Sequence, residues 1–130
     1  MHHNRLSNRL DELATLEPDW DGHGADAPSR EAIINVKSLL NSTDDEFLAH
    51  LNPDMLTATP DGTVLLLVET HPTTALYVEV GRTKIAFYCS DDVANRSRLN
   101  ITGCAEPVIL TSEVYGALSK FFHAYLNLPR

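Results

Sequence analysis

The stretch ALYVEVGRTKIAFYC, residues 75–89, alternates apolar and polar side chains on both sides of a central Gly-Arg pair. Alternation with a period of two is the pattern of a half-buried β-strand, and a glycine between two such runs is typical of a hairpin turn. A two-residue turn places Glu79 opposite Lys84, so that unlike charges pair across the strands. One face is then wholly apolar and consists of Leu76, Val78, Val80, Ile85 and Phe87. The sequence therefore predicts an antiparallel hairpin with one buried face.

The opposite face of this hairpin is amphipathic. It collects Tyr77, Glu79, Lys84, Ala86 and Tyr88. Tyrosine is over-represented where proteins meet. Either a helix covers this face, or the face is open to a partner or to a second copy of the chain.

A second hairpin precedes the first. The run MLTATPDGTVLLLVE, residues 55–69, has Gly62 where a three-residue loop requires a positive φ. Its second arm, residues 64–68, is apolar without alternation. Such a run predicts a central strand that is covered on both faces.

Helical periodicity dominates both ends of the chain. Leucines at positions 6, 10, 13 and 16 lie on one face of a helix that Pro18 ends. A second helix is expected to begin after Ser29, with Glu31 in its first turn, and a short third one after an N-cap at Ser42 or Thr43. The predicted apolar stripe of the second helix is Ala32, Ile33, Val36, Leu39 and Leu40, and the third should bury Phe47, Leu48 and Leu51.

The C-terminal third holds one further helix, over residues 112–126. We expect it to bury Val114, Leu118, Phe121, Phe122 and Tyr125. Residues 91–106 are predicted to form an irregular connection that either lacks regular structure or contains a short helix or strand, and residues 107–110 to form a strand or a lead into the helix. The whole chain, 1–130, is thus predicted to be one α+β domain with two or three N-terminal helices, a mainly antiparallel sheet of four to five strands and a C-terminal helix packed on the sheet.

Charge is unevenly distributed. The net charge is -8, and residues 11–69 hold thirteen acids against Arg30 and Lys37. This distribution should repel nucleic acids and anionic membranes and attract a protein with a basic surface. Direct binding of nucleic acid is not expected, although Arg96 and Arg98 form a small basic spot. The chain has no apolar run of membrane-spanning length and no apolar N-terminal segment, so we predict a cytoplasmic protein with reduced thiols at Cys89 and Cys104.

The loop EPDWDGHGADAPS, residues 17–29, has two interpretations. Asp19, Asp21 and Gly24 occupy the first, third and sixth positions of a calcium-loop template, but the twelfth position is Arg30 instead of glutamate. Alternatively the loop is a rigid corner, in which the glycines permit tight turning and Trp20 packs between the helices. A partner-binding loop is a third option.

Part of this loop resembles a motif, W-D-G-x-G-A-x-x-P-S, of small uncharacterised proteins from bacteria, prophages and other mobile elements. In those proteins the motif lies between two amphipathic helices and precedes P-D-G and antiparallel strands. The matching positions are Trp20, Asp21, Gly22, Gly24, Ala25, Pro28, Ser29, Pro60, Asp61 and Gly62.

The resemblance covers roughly residues 10–88. It departs at LLLVETHP, residues 65–72, where similar proteins often carry a tryptophan, and in the C-terminal third. It supplies no activity and no catalytic residue. It implies a small accessory protein of a prophage, a toxin–antitoxin pair, or a defence or counter-defence locus.

No pattern in the sequence indicates an assembled active site. Histidines 23, 50, 71 and 123 show neither an H-x-x-x-H nor an H-E-x-x-H spacing, and G-x-S-x-G, CxxC and phosphate-binding glycine loops do not occur. We therefore predict no catalytic residue, no metal site and no cofactor.

The favoured function is binding of another protein, as an inhibitor, antitoxin, immunity or anti-defence factor. The alternatives are a small enzyme or metal- or ligand-binding domain built on the Asp19–Asp26 loop, and a homo-oligomeric accessory protein, such as a homodimer, that uses the tyrosine face. The predicted partner-binding residues are Asp19, Trp20, Asp21, Asp26, Asp44, Asp45, Glu46, Tyr77 and Tyr88.

Overall fold

Five strands form a single antiparallel sheet in the order in which they follow one another along the chain. The computed structural model describes residues 2–72, 74–90 and 104–127. The strands are β1 (Leu56–Ala58), β2 (Val64–Val68), β3 (Ala75–Val80), β4 (Lys84–Ser90) and β5 (Cys104–Ile109), and the helices are α1 (His2–Leu13), α2 (Arg30–Ser42), α3 (Asp45–Leu48) and α4 (Ser112–Leu126). A 3-10 turn, Pro53–Met55, leads into β1. The predicted α+β class is confirmed, with three N-terminal helices and a C-terminal helix.

The described helices bury their apolar sides in one cluster on one face of the sheet. The stripe predicted for α2 is buried in full, and its N-cap is Ser29, whose Oγ accepts a hydrogen bond from the Ala32 N–H at 3.0 Å. Helix α4 meets the sheet through Phe121, whose ring contacts the edge of Phe87 at a centroid distance of 5.1 Å. Val114 is only half-buried, on the margin of this core.

The β1–β2 hairpin, predicted from residues 55–69, has the expected three-residue loop. Ala58 pairs with Val64, the Thr59 N–H donates to the Thr63 carbonyl at 3.0 Å, and Gly62 has a φ of +82°. The positive φ explains why glycine occupies this position.

The β3–β4 hairpin, predicted from residues 75–89, has a different strand register from the predicted one. Val80 pairs with Ile85, and the Gly81 N–H donates to the Lys84 carbonyl at 2.8 Å, so the turn residues are 82–83 instead of the predicted 81–82. Glu79 pairs with Ala86, and the predicted Glu79–Lys84 pair is wrong. The side chain of Asn35 on α2 donates to the carbonyls of Gly81 and Arg82, both at 2.9 Å, and thereby stabilises the turn at this position. The observed cross-strand partner of each β3 residue lies two positions further along β4 than the predicted one. Because side chains alternate between faces with a period of two, every side chain keeps its predicted face.

Strand β2 lies inside the sheet, but the prediction that both of its faces are covered is wrong for the described chain. Val64, Leu66 and Val68 are buried, whereas Leu65 and Leu67 on the other face are half-exposed. An apolar run does not by itself distinguish a strand covered twice from one whose outer face is also apolar.

One local prediction also needs correction. The N-cap of α3 is Asp44, whose Oδ1 accepts from the Phe47 N–H at 3.1 Å. Ser42 and Thr43 instead donate to the Leu39 carbonyl, because α2 extends as far as Ser42. Residues 104–106 of the predicted connection belong to β5, in agreement with the alternative that the connection contains a strand, so Cys104 lies in a strand. Residues 91–103, including the arginines at 96 and 98, lie outside the described part.

Candidate functional site

The loop of residues 17–29 is closed by its own hydrogen bonds. Asp19 has a φ of +66°, and its N–H donates to the Ala25 carbonyl at 2.7 Å. The Oδ1 atom of Asp19 accepts from the Gly24 N–H at 2.6 Å, and that of Asp21 accepts from the N–H groups of His23 and Ala25 at 2.8 and 3.1 Å. Both carboxylates thus satisfy backbone donors of the loop that contains them, as the corner interpretation expects.

Trp20 anchors this loop to the core. Its side chain is half-buried against the apolar cluster, and its Nε1–H donates to the Asp26 carbonyl at 2.8 Å. A buried indole with its N–H satisfied is a typical packing element. Trp20 therefore has a structural role, and its partly exposed edge is all that it offers to a partner.

The loop also docks on the β1–β2 turn. The Asp26 N–H donates to the Pro60 carbonyl at 2.8 Å, and the Ser29 N–H to the Gly62 carbonyl at 2.9 Å. A Cβ on Gly62 would lie 3.1 Å from the Ala27 carbonyl oxygen, so a side chain there would require the Ala27 backbone to move by a few tenths of an ångström. The two parts of the sequence motif, residues 20–29 and 60–62, thus form one structural unit. Their separation in the sequence gives no indication of this contact.

A groove of about 460 Å³ lies beside this junction. Asp26 and Asp61, which form an isolated parallel bridge, are exposed on one side of it, and Arg82 and Lys84 of the β3–β4 turn lie on the other. Arg82 also approaches Glu31 on α2, with Nε 3.6 Å from Oε2. The groove therefore has mixed charge.

Helix α3 presents a second group of the predicted binding residues. Asp44 is engaged twice in the fold, as the N-cap and through Oδ2, which lies 2.8 Å from Nε2 of His123 on α4. Phe47 stacks on Phe122 at a centroid distance of 4.0 Å and holds the same two helices together. The exposed side chains of this turn are Asp45 and Glu46.

Tyr77 and Tyr88 lie on the opposite side of the sheet. They are direct cross-strand partners, and their rings stack at a centroid distance of 5.0 Å. Neither belongs to the core cluster, and Tyr88 is 38% exposed. Within the described residues every helix packs on the other face of the sheet, so the helical cover considered above is not observed there. The predicted binding residues thus fall into three separate places: the loop, α3 and this outer face.

Sequence reasoning missed one polar centre in the core. The hydroxyl of Tyr125 accepts from the His71 N–H at 3.3 Å and lies 2.7 and 3.1 Å from the carbonyl oxygens of Thr74 and Val68. Burial raises the pKa of this hydroxyl above its ordinary value of 10.0. The hydroxyl ties the β2–β3 connection to α4; the apolar spacing around Tyr125 predicted its burial, but not these bonds.

The described residues contain no group of three or more His, Cys, Asp or Glu side chains arranged to hold a metal ion. His23 and His50 are exposed, and His123 contacts Asp44. Cys89 is half-buried against the core, on the predicted inward side of β4. Among the described helices, none has the length and apolarity that crossing a bilayer requires.

Exposed carboxylates dominate the surface formed by residues 11–69. Of the thirteen acidic side chains in this segment, Asp21 alone is not exposed. Two of the exposed ones have a described cationic partner, Asp11 with Lys37 at 2.6 Å and Glu31 with Arg82, and Asp44 contacts the imidazole of His123. We call the exposed set the acidic surface. It consists of Asp11, Glu12, Glu17, Asp19, Asp26, Glu31, Asp44, Asp45, Glu46, Asp54, Asp61 and Glu69.

Comparison of the chain with protein-family profiles, with curated proteins and with solved structures finds no match.

Proposed function

We propose that this chain is a non-catalytic, cytoplasmic protein-binding factor of a bacterium, phage or mobile element. It acts by presenting the acidic surface to a protein with a basic surface. The observation that supports this proposal most directly is the exposure of twelve carboxylates in a segment that holds only Arg30 and Lys37 as cations. Such a surface accelerates and orients encounters with a basic partner.

The acidic surface is preorganised. Asp26 is fixed by the Pro60 carbonyl, and α3 is held by its N-cap and by the stacking of Phe47 on Phe122. Binding through groups that already have their final positions avoids much of the entropic cost of ordering. Preorganisation suits a tight inhibitor better than a loose electrostatic tether.

Side chains that hydrolytic or metal chemistry would use are engaged in the fold. Asp19 and Asp21 accept backbone hydrogen bonds, and His123 contacts Asp44. This engagement favours a binding role over the enzyme built on the Asp19–Asp26 loop. The motif resemblance favours an inhibitor, antitoxin, immunity or anti-defence factor within the class of binding proteins.

Affinity capture from a bacterial lysate tests the proposal. The bait is the full chain, and the test variant is Asp45→Asn with Glu46→Gln, which removes two exposed charges of α3. The matched control is Glu113→Gln, because Glu113 is also exposed in the first turn of a helix but lies about 15 Å along α4 from the residue that contacts α3.

We expect a basic protein that the wild type and the control retain, that the double variant retains less, and that added salt releases. Captured proteins that respond to neither the substitutions nor salt would contradict the proposal.

A further inference from the structure

The outward-facing side chains of the sheet form a mainly apolar surface, which we call the outer sheet face. Ile109 belongs to it because it pairs with Lys84, whose neighbour Ile85 points into the core, and directly paired residues share a face. Ile109 is 63% exposed. The members of this face whose side chains are described are Thr57, Leu65, Leu67, Ala75, Tyr77, Glu79, Lys84, Ala86, Tyr88 and Ile109.

This face differs in charge from the rest of the described surface. Among the described side chains of this face the charged ones are Glu79 and Lys84, whose charges cancel, whereas the chain as a whole has a net charge of -8. A basic partner gains little attraction at a face whose local charge is zero. Two identical acidic chains, in contrast, repel each other least where the local charge is zero.

We propose that the outer sheet face binds a second copy of this chain. This inference is independent of the acidic surface, which lies largely on the helical side. The charge arrangement is self-complementary: Glu79 and Lys84 are diagonal neighbours on β3 and β4 and line the same groove of about 220 Å³. In a two-fold dimer each residue contact occurs twice, so Glu79 of each copy can pair with Lys84 of the other.

The apolar members of the face provide the burial that such a dimer requires. Tyr77 and Tyr88 are already stacked, so their rings lose little freedom on association, and Leu65, Leu67 and Ile109 flank them across the sheet. Aromatic side chains at the centre of an interface contribute most of its binding free energy. The dimer would carry two acidic surfaces and engage a repeated basic partner bivalently.

The mass of the full chain in solution, measured by light scattering or sedimentation over a range of concentrations, tests the proposal. We expect about twice the chain mass of 14.4 kDa, and a dimer that persists in high salt because most of its contacts are apolar. Lys84→Glu gives two like charges on each face and should weaken the dimer about tenfold, since each substitution acts twice.

Two further samples make the result specific. Glu79→Lys alone should weaken the dimer as well, and mixing it with Lys84→Glu should restore a dimer that contains both chains, which also shows that both variants fold. The double variant Asp45→Asn with Glu46→Gln should leave the mass unchanged.

If the protein is soluble and monomeric at every concentration measured, the proposal is overturned. A dimer unaffected by Lys84→Glu would also overturn it, because a surface other than the outer sheet face would then form the interface. Neither result affects the capture experiment, so failure of this inference and failure of the proposed function are distinguishable.

Discussion

Asp19 and Asp21 differ from most exposed carboxylates of this protein because their oxygens already accept hydrogen bonds from their own loop. Such bonds mimic an N-cap, in which a short acidic side chain satisfies nearby N–H groups. The spacing of these residues resembles a calcium loop, but the same spacing also closes a tight turn. At the scale of single residues, the hydrogen-bond partner determines which interpretation applies.

Substitution of Asp21 distinguishes a calcium loop from a structural turn. Asp21→Ala should lower the free energy of unfolding by about 1–2 kcal/mol, because the N–H groups of His23 and Ala25 lose their acceptor. Asp21→Asn should cost less, because the amide oxygen can still accept. Urea unfolding followed by the fluorescence of Trp20 measures both values. If calcium stabilised the wild type and not Asp21→Ala, the loop would be a metal site instead.

Tyr125 provides a second prediction at this scale. Tyr125→Phe should lower the free energy of unfolding by about 1–2 kcal/mol at neutral pH, because the His71 N–H loses an acceptor and the Thr74 carbonyl a donor. Chemical denaturation of both proteins gives the difference.

The pH dependence of that difference has a defined sign. Burial raises the folded-state pKa of Tyr125 above 10.0, so the stability that its neutral form contributes is fully present below pH 10 and is lost as the pH rises through the folded-state pKa. The difference in free energy of unfolding between wild type and Tyr125→Phe should therefore become smaller above pH 10. A difference that stays constant or grows there would contradict a stabilising role for the neutral Tyr125 hydroxyl.

At the scale of elements, the central contact joins the loop before α2 to the β1–β2 turn. Gly62 favours this contact because its positive φ disfavours a side chain and because an added Cβ would lie only 3.1 Å from the Ala27 carbonyl oxygen. Backbone hydrogen bonds at this junction thereby join the segment before α2 to the β1–β2 hairpin, in addition to the apolar core that both share.

Gly62→Ala should destabilise the protein by about 1–3 kcal/mol, the usual cost of a strained backbone conformation. Gly116→Ala is the matched control: Gly116 lies within α4, an added Cβ meets nothing within 4 Å, and the substitution should stabilise by about 0.5–1 kcal/mol. Thermal unfolding monitored by circular dichroism measures both. Equal effects of the two substitutions on stability would show that the contact between the loop and the β1–β2 turn does not require glycine at position 62.

Elements with a strong local pattern were predictable from the sequence, and those set by tertiary contacts were not. The α2 stripe and the Gly62 loop follow from periodicity and turn chemistry. The β3–β4 register depends on Asn35, which is distant in sequence, and the N-cap of α3 depends on where α2 ends. Of the candidate site, the sequence indicated the exposed acids but not their separation from the two tyrosines.

At the scale of the whole molecule, the sheet divides two surfaces of different character. The helical side and its loops carry the acidic surface, while the outer sheet face is apolar and locally neutral. Each surface suits a different kind of partner, a basic protein on one side and a second copy on the other. Neither role requires the chain to make or break bonds.

The central claim is that the acidic surface attracts a basic protein, and the salt dependence of the captured complex tests it most directly. We predict that the dissociation constant, measured by titration calorimetry at several salt concentrations, rises steadily with salt, and that the slope is shallower for the variant Asp45→Asn with Glu46→Gln than for the wild type or Glu113→Gln. A dissociation constant that does not change with salt, for the wild type and the variants alike, would contradict the account.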